Sequence, residues 1–577
     1  MTSSLVGSEM CIRDRLLFIC VLTQPTYLGL TSYHTKGEPR EAIVAVSMLQ
    51  TDNWILPVNN GGDLAYKPPF FHWCIALCSL PIGHVNEFTS RLPSAIALIV
   101  MTMATFLFFA KRTRKDLAFL ASLLLFSCIE IHRAGANCRV DMVMTCFIVL
   151  ALFQMFRWCE NGLKGIPVWG ILFMSAATLT KGPVGIVLPC AVAAIYMWIR
   201  KAPFFKTAFK FAGIALLSCI LPFCWYYAAY LQGGQEFLDL VIEENFARFV
   251  GKMSYASHEE PAIYYVYTTI LGWMPWAVLV LISLFMLKYR IPCRSVKEGW
   301  TKFKNYIGNM NDTRLFSLLA IVIILGFYCI PKSKRTVYVM PIYPFMAYFL
   351  AEYMVYLLKA KPNAWRIFGI TLSILAGILL SALIALKCGW INSFFPEDSS
   401  NRLYVDALSA HWDAAGIVFG IFTLIMLYRM YKSRHTLAAN NRYLYNTVAL
   451  FFCIQLLLDF SILPTVLNTK SIKPFAEEIC EMVPEGKIYS HVTEDRMLRF
   501  YVINFYADNR VVSFVDENPQ DGYLLVNNAG FRYIYEHYGE RYDFEKVLQS
   551  DRSGNDVKGT NYLYRFGPKE VGTDNIQ

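Results

Sequence analysis

Charge is scarce in this sequence. Only 17% of its 577 residues are Asp, Glu, Lys or Arg, while 56% are hydrophobic and the mean hydropathy is +0.39. Soluble domains carry about 25% charged and about 45–50% apolar residues, so a single water-soluble core is excluded. A CxxC pair is also missing, as are an internal repeat and, in the polar C-terminal part, a glycine-rich nucleotide loop. Sixteen cysteines are present, but most, among them Cys74, Cys128, Cys146, Cys190 and Cys453, sit inside apolar runs as small hydrophobes. The C-terminal part has only Cys480, so neither a disulfide framework nor a cysteine metal site is implied.

What is abundant is apolar sequence in runs of roughly 18–22 residues, the length that crosses a hydrocarbon core at about 1.5 Å per residue. Thirteen spans are expected, at about 16–33, 92–110, 116–131, 142–158, 166–180, 183–199, 210–230, 263–287, 313–330, 338–357, 366–386, 413–431 and 443–463. Residues 1–15 match neither a signal peptide nor a span and are set aside as an atypical, possibly non-native leader. Basic loops fall at Lys111–Lys115, Arg200–Lys210, Lys288–Lys304, Lys359–Arg366 and Arg429–Arg434, each after an even-numbered span. The bias of Lys and Arg toward the cytoplasm puts these loops and the N-terminus inside. The net charge of +10 therefore sets topology and does not point to nucleic acid. Outer loops at 34–91 and 231–262 belong to a transmembrane domain over 16–465, and after about residue 470 short β-like and helical runs alternate. The expected fold is an α-helical polytopic membrane protein with a small C-terminal α/β domain over 470–577, on the outer side.

Several polar groups lie where hydropathy does not explain them, all on the outer side. Lys332-Ser333-Lys334-Arg335 places three cations against the positive-inside bias, which calls for an anionic partner. Lys181 stands between two apolar spans, where an unpaired ammonium costs roughly 2.5–3.5 kcal/mol. It snorkels to the interface, or it meets a phosphate or a buried carboxylate. Lys67 is mounted beside the rigid pair Pro68-Pro69. Asp141, at the entry to the fourth span, either forms a salt bridge with Arg133 or Arg139 or serves the site. Glu243, Glu244, Arg248 and His258 lie in the loop 231–262, with Glu244 and Arg248 at i,i+4 spacing. Cations gathered at an outer membrane edge suit a lipid-linked phosphate as leaving group, and a carboxylate suits the attacking hydroxyl.

The ordered set Gly37-Glu-Pro-Arg-Glu-Ala, Asp52-Asn-Trp-Ile-Leu-Pro, Tyr66-Lys-Pro-Pro, Asn86-Glu-Phe-Thr-Ser-Arg-Leu-Pro, Thr180-Lys-Gly-Pro and Tyr338-Val-Met-Pro-Ile-Tyr-Pro resembles the aminoarabinose lipid A transferases. These belong, with the protein O-mannosyltransferases, to the GT-C membrane glycosyltransferases. The resemblance runs from about residue 30 to 350. It implies a polyprenyl-phosphate sugar donor, undecaprenyl phosphate in particular, and inversion at the sugar carbon. It assigns the donor phosphate to Lys67, Arg248 and Tyr338. The family's acceptor-facing Asp-Glu pair falls on Gly37 and Glu38, so only the second carboxylate is present. Tyr66 stands where those transferases have a metal-binding glutamate. No cofactor is certain; a divalent metal, magnesium or zinc, would have Glu243, Glu244 and His258 as candidates.

The expected activity is transfer of a hexose or pentose to lipid A or another extracytoplasmic acceptor by single displacement, in a bacterial inner membrane with the active site on the periplasmic side. Glu38 and Asp141 are the candidate catalytic carboxylates. Lys67, Arg248, Tyr338, Lys332 and Lys181 are candidates for the phosphate, with Arg40 and Glu244 positioning the acceptor or its loop. Expected partners are the polyprenyl-phosphate-linked sugar, the lipid A, glycan or protein acceptor, and membrane lipids. Protein O-glycosylation from the same donor is the alternative enzyme reading. A lipid-linked sugar transporter is the alternative of another class, but transporters show inverted repeats and charges near the midplane.

Overall fold

The computed structural model describes residues 2–243, 259–287, 295–397, 401–410, 412–434, 442–493 and 499–569. In chain order the helices are α1 Thr2–Thr23, α2 Pro39–Thr51, α3 Phe70–Ser79, α4 Glu87–Ala110, α5 Lys115–Ser127, α6 Ile129–Gly135, α7 Val140–Glu160 and α8 Val168–Lys181. They continue as α9 Val184–Ile199, α10 Phe204–Ile242, α11 Tyr264–Gly272, α12 Trp276–Leu284, α13 Val296–Gly308, α14 Asp312–Cys329, α15 Tyr343–Ala360 and α16 Pro362–Lys387. The remainder are α17 Arg402–Ser409, α18 Ala414–Ser433, α19 Arg442–Leu457, α20 Leu463–Asn468, α21 Lys473–Met482, α22 Tyr501–Tyr506, α23 Phe514–Glu517 and α24 Asn528–Tyr538. Each expected span from 92–110 onward coincides with one of these helices or with a bent pair, whereas the first, expected at 16–33, overlaps only the end of α1, which closes at Thr23. The set-aside leader is largely helical, because α1 starts at Thr2 and ends before Pro25.

Among the described residues seven helices are long and apolar enough to cross a membrane, and nine spans result if each of two bent pairs counts as one. The shorter apolar helices include α8 and α9. The expected polytopic α-helical fold with a small C-terminal α/β part is the one observed. The two bends differ from the straight spans expected. Helices α5 and α6 meet at 67°, and α11 and α12 at 114°. The second bend falls at Gly272-Trp273-Met274-Pro275, where Pro275 offers no N–H to continue the ladder.

The chain divides into two compact units, Met1–Tyr27 with Pro93–Ile462, and Leu28–Leu92 with Leu463–Gln577. The first outer loop therefore groups with the C-terminal residues and not with the span-bearing unit to which hydropathy attached it. The reason is hydrogen bonding across some 400 residues of sequence. Asn504 Nδ2 donates to Asn60 Oδ1 at 2.7 Å, Gln50 Nε2 to Asp508 O at 3.0 Å, and Tyr506 Oη to Glu87 Oε1 at 2.8 Å.

In the membrane unit α7 is the central helix, with 78% of its apolar window buried, whereas α18 has 11% buried. Aromatic rings fill the space beside α7: Phe108 stacks on Phe153 at 4.1 Å and Phe109 on Tyr348 at 4.6 Å. Helices α8 and α9 turn back on each other through Gly182, whose φ of +107° favours glycine. Their close approach rests on Gly185, where an added Cβ would lie 2.6 Å from the Thr178 backbone nitrogen.

In the second unit, strands β1 Val58–Asn59 and β2 Asp63–Leu64 form a short hairpin, and five more strands form a mixed sheet. These are β3 Ile488–Ser490, β4 Val511–Ser513, β5 Gly522–Asn527, β6 Tyr542–Gln549 and β7 Asn561–Pro568, in the order β4-β3-β5-β7-β6. Strands β4, β3 and β5 are parallel, while β5-β7-β6 is antiparallel. One face packs Phe514, Leu524, Val526 and Phe566 against Ile534 of α24.

Replacing Gly185 by valine forces α8 and α9 apart. The Gly185→Val protein is expected to lose about 1–3 kcal/mol, read as a lower thermal midpoint of the purified protein in detergent.

Candidate active site

Two clusters of ionised side chains stand out, one in each unit. In the second unit the cluster is built on α2. This helix buries Ala42, Ile43, Val44 and Ala45, and Glu41 is buried beside them in its first turn. A carboxylate there needs partners. Lys67 Nζ donates to Glu41 Oε1, His72 Nε2 lies 3.0 Å from Oε2, and Arg40 Nη2 donates to Oε1 at 3.3 Å. A carboxylate only accepts, so the His72 proton sits on Nε2. Burial alone would raise the Glu41 carboxyl; the Lys67 ammonium, the His72 hydrogen bond and the Arg40 guanidinium outweigh it and hold it well below the usual carboxylate range.

The surrounding elements fix these groups. The hairpin β1–β2 delivers the chain to Tyr66-Lys67-Pro68-Pro69, and α3 follows directly with His72 on its buried side. The side chain of Lys67 is 28% exposed while that of Glu41 is 5% exposed, so the ammonium is the member of the pair that solvent or a ligand reaches.

Glu38 is placed differently from the free acceptor-facing carboxylate expected of it. Arg91 clamps it bidentately, Nε to Oε1 at 2.8 Å and Nη2 to Oε2 at 3.0 Å, with both side chains buried. Arg91 Nη1 also donates to the carbonyls of Leu28 and Thr31, each at 2.6 Å. This geometry pins the turn that precedes α2.

In the membrane unit Asp141, in the first turn of α7, pairs with Lys181 at the last turn of α8. Of the readings left open, Asp141 pairs with Lys181 in place of Arg133 or Arg139, so Lys181 meets a buried carboxylate, one of its expected alternatives, and Arg133 is taken up by Glu130 at 3.0 Å. Lys181 Nζ also stands 4.5 Å from the centroid of the Tyr338 ring, a cation–π contact. Tyr338 belongs to the 3₁₀ turn Thr336–Ile342, which Glu130 anchors by accepting from Thr336 Oγ1 at 2.8 Å. Asp141, Lys181 and Tyr338 are thus brought together.

Lys332 is exposed, and its carbonyl accepts from Glu260 N at 3.1 Å. Nearby Lys334 is buried, with Nζ donating to Pro331 O at 2.5 Å. Glu243 caps the end of α10. Glu244, Arg248 and His258 lie outside the described residues. Among the described residues no group of three or more His, Cys, Asp or Glu side chains is placed to hold a metal ion.

Sequence reasoning missed Glu41, His72, Arg91 and Glu130. Glu41 had a usable signal, a charge among the apolar residues of an amphipathic helix. Glu130 had one too, an acid at the end of an apolar run.

The residues 66–226 match a family model described as dolichyl-phosphate-mannose-protein mannosyltransferase. An uncharacterized protein of Aquifex aeolicus is 25% identical over 90% of this chain and 91% of its own length. An undecaprenyl phosphate-alpha-4-amino-4-deoxy-L-arabinose arabinosyl transferase of Aeromonas hydrophila is 25% identical over 66% of this chain and 67% of the relative. The crystal structure of ArnT from Cupriavidus metallidurans bound to undecaprenyl phosphate aligns over 98% of both chains with a TM-score of 0.65 at 17% identity, which shows a shared fold.

Because the folded-state pKa of Glu41 is depressed, its stabilisation is fully present above the ordinary carboxylate value of 4.5 and is lost as pH falls through the lower folded value. The stability gap between wild type and Glu41→Gln is therefore expected to stay constant from neutral pH to about pH 5 and to close only in stronger acid. Thermal unfolding across pH measures it. With Lys67 partly exposed, the gap is about 2–3 kcal/mol.

Proposed function

We propose that this chain, of the GT-C membrane glycosyltransferase superfamily that holds the aminoarabinose lipid A transferases and the protein O-mannosyltransferases, moves a sugar from a polyprenyl-phosphate donor to an acceptor such as lipid A. The donor is undecaprenyl phosphate-linked. The protein sits in a bacterial inner membrane and works on its periplasmic side, the side assigned by the basic loops after even-numbered spans.

The observation that carries this reading is Lys67. It lies in the Tyr66-Lys67-Pro68-Pro69 motif of the resemblance, and its ammonium is held in place by a buried carboxylate while remaining accessible. An ammonium so mounted can meet a phosphate without first being ordered, so little entropy is lost on binding. Within the other unit, Lys181 and Tyr338, which contact each other, and Lys332 are further candidates for binding donor phosphate, as is Arg248 by the family pattern.

In the reaction the acceptor oxygen forms a bond to the anomeric carbon as the bond from that carbon to the lipid phosphate breaks, with inversion. The phosphate leaves with the electron pair, and the cations stabilise that charge. The acceptor's proton ends on the released phosphate or in solvent. Glu38 and Arg40 hold the turn and first residues of α2 that face the acceptor, and Asp141 orients Lys181. Transfer to a protein hydroxyl is a second reading, favoured by the protein mannosyltransferase description of the matching family model.

Lys67→Ala is expected to lower transfer from a labelled lipid-phosphate sugar by about 10²–10³-fold in isolated membranes, with expression intact and Lys67→Arg retaining part of the rate. Normal turnover by Lys67→Ala sinks the assignment. Mass spectrometry of lipid A and surface glycans from a deletion strain identifies the acceptor.

A further inference from the structure

Helix α13, Val296–Gly308, buries none of its residues, although its sequence VKEGWTKFKNYIG is strongly amphipathic. At 3.6 residues per turn, Val296, Trp300, Phe303 and Ile307 fall within an arc of about 60°. Three of these are open to the surroundings, with Val296 92%, Trp300 66% and Phe303 54% exposed. Lys297 and Lys304 border the stripe on one side, while Glu298, Asn305 and Lys302, which pairs with Glu298, lie toward the opposite face.

The apolar helix next in the chain sets the position of α13. Three residues, Asn309 to Asn311, join it to α14, which is long and apolar enough to cross a membrane. Three residues reach about 10 Å when fully extended. That link is fixed by Arg200, the cap residue of the apolar helix α9. Its Nη1 donates to Gly308 O at 3.0 Å, its Nη2 donates to Met310 O, and it pairs with Asp312 at 2.6 Å. The C-terminal end of α13 is therefore held where two apolar helices end, which is the depth of lipid headgroups.

A cavity of about 480 Å³ opens beside it, lined by Lys302, Asn305, Tyr306, Asn309, Asn311 and Arg314. Three amides line it, while its two cations are paired, Lys302 with Glu298 at 2.6 Å and Arg314 with Glu352 at 3.4 Å, so the exposed Lys297 and Lys304 supply the charge for an anionic headgroup. The helix itself carries three lysines against one glutamate.

We infer that α13 lies flat on an anionic lipid leaflet, with its apolar stripe among the acyl chains and its flanking lysines on lipid phosphates. Trp and Phe on one face with Lys at its borders is the composition of helices that settle in the interfacial plane. Lipid also explains why a tryptophan and a phenylalanine stay uncovered by protein. Leaflet binding is a separate matter from the transfer reaction and needs none of the residues assigned to it.

Amide hydrogen exchange of the full-length protein in lipid nanodiscs tests this. In discs containing one-third phosphatidylglycerol, residues 296–308 are expected to exchange about tenfold more slowly than in discs of phosphatidylcholine alone. The triple variant Lys297→Gln, Lys302→Gln, Lys304→Gln should exchange equally in both. The double variant Trp300→Ser, Phe303→Ser should lose protection in both, with α7 amides unchanged as the check on folding. Equal exchange of the wild type in the two discs overturns the inference. So does protection that arises in lipid-free micelles and grows with protein concentration, because a second copy then covers the stripe.

Discussion

A carboxylate taken out of water destabilises a fold by several kcal/mol unless hydrogen-bonded cations replace its hydration shell. That requirement shapes both units. Glu41 gathers Lys67, His72 and Arg40, and in doing so ties α2 to the segment before α3 and to α3 itself. Glu38 gathers Arg91 from α4. In the membrane unit Asp141 joins α7 to α8 through Lys181, and Glu130 joins α6 to the turn carrying Tyr338. His132 and Asp459 join α6 to the π-helical turn Leu458–Ile462 at 2.7 Å. Apart from Arg40 beside Glu41, each pair links one element to another, so the charges scarce in composition are concentrated where they decide tertiary position.

Much of the fold was legible because hydropathy reports on lipid directly. A run of about 20 apolar residues has few alternatives to a spanning helix, and the expected spans from 92–110 onward coincide with helices or bent pairs. Bends were not legible in the same way, since the apolar composition of α5–α6 and α11–α12 continues through the break. Only Pro275 advertised one of them. The C-terminal strands with apolar centres, β3, β4, β5 and β7, were readable. Strand β6 was not, because Asp543, Glu545 and Lys546 interrupt its pattern at the edge of the sheet.

For the site, sequence supplied the cations and structure supplied their partners. Lys67, Lys181 and Asp141 were legible as charges next to apolar runs. That Asp141 chooses Lys181 over Arg133 depends on how α7 and α8 pack, which no local pattern encodes. Gly37 stands in place of the expected aspartate and leaves Glu38, next to it, as the carboxylate the motif points to. Three residues on, Glu41 carries no such mark, although it is the carboxylate that meets Lys67.

The pairing of Lys67 with Glu41 also bears on how the proposed reaction ends. On the proposed reading, a lipid phosphate arriving at Lys67 would not find a bare cation; it would compete with an ionised carboxylate already seated there. Its affinity is then the difference between two ion pairs, and smaller than either. If transfer leaves a spent carrier phosphate on the lysine, as proposed, Glu41 is present to reclaim it. A built-in competitor of this kind limits how long product occupies the lysine and so favours repeated turnover over tight retention.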